Sequence, residues 1–117
     1  MPLVSCVLLA GLPPDETARR VHAMRRPLLS PRTVTDADEV LALVARCREE
    51  GYASNDGELE LGVRSMAVPV LDRSGQVMAA MSIAVRAERM TLAEVREVFL
   101  PPLRKAAGSL VARLNSA

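Results

Sequence analysis

The chain has 117 residues, half of them hydrophobic and a quarter charged, and its 15 basic and 14 acidic side chains leave a net charge of +1. That length supports one domain around a single core. The near-balance of charge argues against a free-standing nucleic-acid binder, and the apolar runs are far too short to cross a bilayer. With one Phe, one Tyr and no Trp, the core must come from Leu, Val, Ala and Met.

In chain order, Val4 to Ala10 is a short apolar segment that Gly11 stops, as at a helix end. A second helix restarts at "LPPDETARRVHAM", with Pro14 suited to its first turn and Ala18, Val21 and Met24 along one side. "RRPLLSPRTV" holds two prolines and no sustained period, so it reads as a connection. "TDADEV" then opens a third helix, with Thr35 as the predicted cap and Asp36, Asp38 and Glu39 opposing the positive end of its dipole. Val40, Leu41, Val44 and Cys47 share one face of this helix, and Gly51 ends it after Glu50.

The segment "ASNDGELELG" reads as a loop, except that the alternation in "ELEL" between Gly57 and Gly62 predicts a short half-exposed strand. "RSMAVPVLDRSGQVMAAMSIA" is a hairpin turning at Asp72–Gly75. A four-residue loop sets Ser65 opposite Ser82, whereas a three-residue loop with a bulge at Gly75 sets Ser65 opposite Ile83. In the first register Ser65, Ala67, Pro69, Leu71, Met78, Ala80, Ser82 and Ala84 share one face. Met66, Val68, Val70, Val77, Ala79, Met81 and Ile83 form a greasier opposite face suited to packing a helix. Thr91 and Glu94 make a capping box for a long last helix whose spaced apolar residues are Val95, Val98, Phe99, Leu103, Ala106, Ala107, Leu110 and Leu114. Pro101 and Pro102 predict a kink or break near Leu100.

Two serines on a small-residue face invite two readings. They can hydrogen-bond to each other or to nearby backbone as structural groups, or they can orient a small polar ligand. Elsewhere the candidates are single. His22 has no nucleophile or carboxylate at a telling spacing, and Cys6 and Cys47 fall in no CxxC or Cys/His pattern, so both read as inert packing residues of a reduced, cytoplasmic protein. The opening "MPLVSC" carries no charged leader pattern. Asp56 and Glu58 lack a converging acid–base or metal set, and no combination of residues suggests an enzyme or a cofactor. Arg64 precedes Ser65 and points to the other face, to pair with Glu58 or Glu60 or with an acidic ligand at a pocket mouth. The Arg19, Arg20, Arg25 and Arg26 patch is too small, and too free of aromatics, to suggest nucleic acid.

The runs "GYASNDGELELGVRSMAVPVLDRSGQVMAAMSIAV" and "FLPPLRKAA", with "VLLAGLPPDE" and "LLSPRTVTDADEVLALVARCREEGYA" before them, resemble the C-terminal effector-binding domain of IclR-type bacterial transcription regulators. The branch they resemble most governs protocatechuate, 4-hydroxybenzoate and β-ketoadipate catabolism. The resemblance covers nearly the whole chain. It implies an α/β (α+β), GAF-like or profilin-like domain over residues 1–117, an antiparallel sheet with packed helices and a small-molecule pocket on part of one face. It also implies contact with a small organic or aromatic acid through Asn55 or Asp56, Ser65 and Ser82, with Ala84 where relatives carry another hydroxyl and Arg64 nearby. Homo-oligomers, or pairing with a full-length regulator as a non-sensing partner, follow from the same likeness. DNA would be reached only through an N-terminal winged helix-turn-helix outside this sequence. The family's first strands and pocket loop precede "VLLA", so the sheet is expected to be short of its N-terminal strands.

Overall fold

A computed structural model describes residues 2–116, in the order α1 (Leu3–Ala10), α2 (Pro14–Ala23), α3 (Ala37–Glu50), β1 (Ala53–Asp56), β2 (Val63–Leu71), β3 (Val77–Arg86) and α4 (Leu92–Ser116). The fold is mixed α/β: a three-stranded antiparallel sheet ordered β1-β2-β3 between α1–α3 on one face and α4 on the other.

Local chemistry sets the helix ends. Asp36, not Thr35, caps α3, its carboxylate accepting the Glu39 N–H at 3.1 Å. Gly51 closes that helix at φ 77°, a left-handed conformation that costs glycine least. Gly11 is needed for another reason: a Cβ there would lie 2.5 Å from Val77 Cγ2, so the α1–α2 turn can approach β3 only without a side chain. Thr91 and Glu94 form the expected reciprocal cap of α4, each backbone N–H bonded to the other's side chain at 3.1 Å.

The first strand lies earlier than the alternation of "ELEL" suggests. Ala53–Asp56 is the strand, and residues 58–62 are a loop. Gly57 and Gly62 both take positive φ, 78° and 82°, and the Gly57 N–H donates to the Val63 carbonyl, which folds the segment back on itself. The Ser30 hydroxyl donates to the Gly57 carbonyl at 2.5 Å and that of Thr33 to the Glu58 carbonyl, holding the loop from outside.

The hairpin turns as the three-residue alternative expects, but neither expected partner faces Ser65. Asp72 pairs with Gln76 around a three-residue loop closed by Gly75 at φ 86°, and Leu71 faces Val77. Between Val70 and Leu71 the register then slips, because Val70 faces Ala79 and leaves Met78 bulged and 50% exposed. The extra residue places Ser65 opposite Ala84 and Ala67 opposite Ser82. Two single-residue shifts restore parity, so Ser65, Ser82 and Ala84 still share a face while Val77 crosses to join them. Pro69 is tolerated in the central strand because it lies beyond the end of β1. The Val63–Gly57 bond shows that odd-numbered β2 residues direct their backbone toward β1, and β1 begins opposite Ala67.

The core has two parts. Leu3, Cys6, Val7 and Leu9 of α1 meet Val21, Val40, Val44, Cys47, Ala53 and Ala67 on the serine face, with Val77 and Ala80 against them. On the other face Met66, Val68 and Val70 meet Val95, Leu103 and Ala107 of α4. Helix α4 runs without interruption through Pro101 and Pro102, contrary to the expected break. Both prolines are exposed, so solvent can satisfy the carbonyls one turn earlier that lose their donors. Ala106 is exposed, and so are Val98, Leu110 and Leu114 at 53%, 38% and 52%, although their spacing suggested core.

Candidate functional site

A cavity of about 340 Å³ opens on the serine face. Leu3 and Val4 of α1, Asn55 of β1, Leu59 and Glu60 of the following loop, Val63 and Ser65 of β2, and Ser82 and Ala84 of β3 line it. Four residues expected at the site, Asn55, Ser65, Ser82 and Ala84, therefore share one hollow.

Asn55 and Ser65 are its buried polar centre. They lie directly opposite each other across β1 and β2, and the Ser65 hydroxyl donates to Asn55 Oδ1 at 2.8 Å. Ser65 thus bonds to Asn55 rather than across to Ser82. Asn55 is 2% exposed, and its Nδ2 has no partner among the described residues. Leaving such a donor unpaired costs about 1–3 kcal/mol. A serine hydroxyl both donates and accepts, so turning the amide over would keep the bond to Ser65 and present Oδ1 instead. Either way one amide group remains free for a ligand atom. Ser82 adds an exposed hydroxyl at the rim.

Arg64 and Asp56 do not line this cavity. Arg64 Nε donates to Asp56 Oδ1 at 3.1 Å, and its Nη1 donates to the Ala87 and Met90 carbonyls, both at 2.7 Å. Its carboxylate partner is therefore Asp56, in place of the expected Glu58 or Glu60. Arg32 approaches the same carboxylate at 3.4 Å. This cluster fastens the end of the β1–β2 pair to the turn before α4, which fixes Asn55 one residue away.

A second cavity of about 220 Å³ lies beside the first and shares Leu3 and Asn55 with it. Cys6, Cys47 and Glu58 also line it, and burial pushes the Glu58 carboxyl above the usual carboxylate range. Sequence reading did not foresee Leu3, Val4, Leu59 or Glu60 as cavity walls. The paired glycines around "ELEL" were the available signal, since a segment closed by two left-handed residues turns inward as a loop. Among the described residues no cluster of three or more His, Cys, Asp or Glu could hold a metal, and no helix is long and apolar enough to cross a membrane.

Residues 4–112 match the family model described as bacterial transcriptional regulator IclR C-terminal. The chain is 37% identical over 110 residues to the Pca regulon regulatory protein of Pseudomonas putida, an alignment that takes in 92% of this chain and 37% of that protein. Among solved structures, a transcriptional regulator from Rhodococcus sp. RHA1 superposes with a TM-score of 0.90 at 36% identity, covering 97% of this chain and 45% of that one. A double mutant of the inducer-binding domain of the Acinetobacter PobR transcription factor, in complex with 3-hydroxybenzoic acid, gives 0.87 at 29% identity, covering 94% and 63%. The chain spans less than two thirds of each of these proteins, and the curated relatives are transcription regulators, not enzymes. The chain belongs to the IclR family of bacterial transcriptional regulators and corresponds to its C-terminal effector-binding domain.

Proposed function

We propose that this domain senses a small organic acid, with a hydroxylated benzoic acid as the favoured class, in the cavity between Asn55, Ser65, Ser82 and Ala84. The observation that carries the reading is the unpartnered amide of Asn55, 2% exposed at a cavity of about 340 Å³. A carboxylate or hydroxyl oxygen is the acceptor such a donor lacks, and apolar Leu3, Val4, Leu59 and Val63 suit a ring or a short aliphatic body. The 3-hydroxybenzoic acid in the PobR complex supports an aromatic acid. Ser82 supplies a second polar contact at the rim, while Arg64 and Asp56 position Asn55 without touching the ligand.

Occupancy regulates only through different affinities for two arrangements of the regulator. The outer edge of β3 is the proposed meeting place for such an arrangement. It pairs on one side only and runs nine residues without proline or any charge before Arg86. Val4 and Leu8 of α1 beside it are 39% and 40% exposed. Homo-oligomers, or assembly with a full-length regulator, would cover this edge. DNA contact would come from a winged helix-turn-helix elsewhere in the regulator, acting in the cytoplasm. Sizing chromatography tests the edge, and a stable monomer at micromolar concentration that also fails to co-purify with a full-length relative overturns it.

Calorimetry with protocatechuate, 4-hydroxybenzoate and β-ketoadipate tests the sensor. Binding of at least one is expected, and Asn55→Ala should weaken it by roughly tenfold or more through loss of one charge-assisted hydrogen bond. No heat from any of the three, with the folded protein, overturns the acid-sensing reading.

A further inference from the structure

We propose that Cys6 and Cys47 form an oxidation-sensitive dithiol that hydrogen peroxide closes into an intramolecular disulfide joining α1 to α3. The two residues are far apart in sequence and carry no redox motif, but the packing of α1 on α3 brings their side chains into one cluster. They are 6% and 5% exposed, and both are free thiols. Both line the 220 Å³ cavity, which reaches solvent where the exposed side chains of Arg46, Glu50 and Arg96 form its rim. A small neutral oxidant therefore has a route to sulfurs that bulk reagents do not.

The surroundings make the two sulfurs unequal. The hydrogen bond between the two thiols favours the first thiolate and disfavours a second, and burial pushes Cys6 up. Arg48 favours the Cys47 thiolate and Glu50 opposes it, while Glu58 adds to the upward push on Cys6. Cys47 is thus the attacking sulfur and Cys6 the resolving one.

The steps balance without any other reactant. The Cys47 thiolate attacks one peroxide oxygen, the O–O bond breaks, and hydroxide leaves to take up a proton as water. The Cys6 thiol then attacks the Cys47 sulfenic sulfur, the S–O bond breaks, and a second water departs with the Cys6 proton. Two thiols supply two electrons to one peroxide. The inference is independent of any effector, since neither sulfur lines the cavity assigned to the acid.

The test treats the intact chain with hydrogen peroxide and maps its peptides without reduction. A Cys6–Cys47 cross-linked peptide, a mass loss of two hydrogens and a rise in Tm of roughly 5–15 °C, all reversed by dithiothreitol, are expected. In Cys6→Ser, Cys47 should be trapped as a sulfenic acid when the oxidised chain is unfolded in dimedone, whereas in Cys47→Ser, Cys6 should remain a thiol. Both thiols still free after treatment, or bridges only between chains, overturn the proposal. Trapping at Cys6 in place of Cys47 overturns the assigned order of attack.

Discussion

The two faces of the sheet are built from alternate residues of the same strands, yet they do opposite work. On the α4 side, Met66, Val68 and Val70 are each no more than 1% exposed and meet Val95, Leu103 and Ala107 in a purely apolar layer. On the α1–α3 side the intervening residues are Ser65, Ala67 and Pro69, small or polar, and the 340 Å³ cavity lies there, while the 220 Å³ one sits at the β1 edge, reached also by Leu92 and Arg96 of α4. Close packing leaves no room for a ligand, and an unpaired buried amide is a cost that a purely structural face would not retain. Stability resides on one side of β2, and the proposed recognition site lies on the other.

Truncation on the aliphatic face should therefore cost the most and reveal the least about function. Met66→Ala removes a fully buried side chain and is expected to lower stability by about 2–5 kcal/mol in urea unfolding. The affinity of the molecules that remain folded should not change, and a parallel loss of acid binding would break the separation of the faces. Gly11→Ala tests whether the serine face is held as firmly from above. The added Cβ must displace Val77 and should cost about 1–3 kcal/mol. A neutral outcome would mean that α1 rides loosely on β3.

The difference between the faces was legible in the sequence because alternation survives small errors of register. Met66, Val68 and Val70 announced a helix-packing surface whatever their partners, and the parity of Ser65 and Ser82 came out as expected. The partners themselves were hidden, because the bulge at Met78 has no sequence mark: nothing distinguishes "VMAAM" from an unbroken strand. The first strand was missed because it is half polar, and Asn55 and Ser54 read as loop residues until the sheet supplies their partners. Exposure along α4 was overread because spacing identifies a face and not how much of it a three-stranded sheet can cover. The contact of Cys6 with Cys47 depends on how α1 crosses α3, which no local pattern encodes.

On the recognition face, effects on stability should shrink while effects on binding persist. Ser82→Ala removes an exposed hydroxyl and should change stability by less than about 0.5 kcal/mol. It should nevertheless weaken a hydroxybenzoate by roughly five- to tenfold, the worth of one hydrogen bond, in the same calorimetric titration. Ala84→Ser, which sets a second hydroxyl across from Ser65, should strengthen binding of a dihydroxylated ring relative to a monohydroxylated one. Equal affinities in all three proteins would place the ligand away from β3.

The smallest effect concerns Glu58, the half-buried acid at the neighbouring cavity. Burial raises its folded pKa above the unfolded value near 4.3. Its contribution to stability is then fully present below the unfolded pKa and lost as pH rises through the folded one. Glu58→Gln removes the titration but keeps the Glu58 main-chain carbonyl that accepts from Thr33. The variant should melt about 1–3 °C above the parent at pH 7, a figure kept small because the side chain is only half-buried, and should match it near pH 4. Glu16, Asp72 and Glu94, whose pKa values are lowered by hydrogen bonds, lose stability in the opposite direction as pH falls. They do so equally in both proteins and cancel in the difference. A gap between the two melting curves that stays constant with pH would show that the charge at residue 58 is already relieved by solvent, and that the polar side of the sheet carries less strain than its orphaned amide suggests.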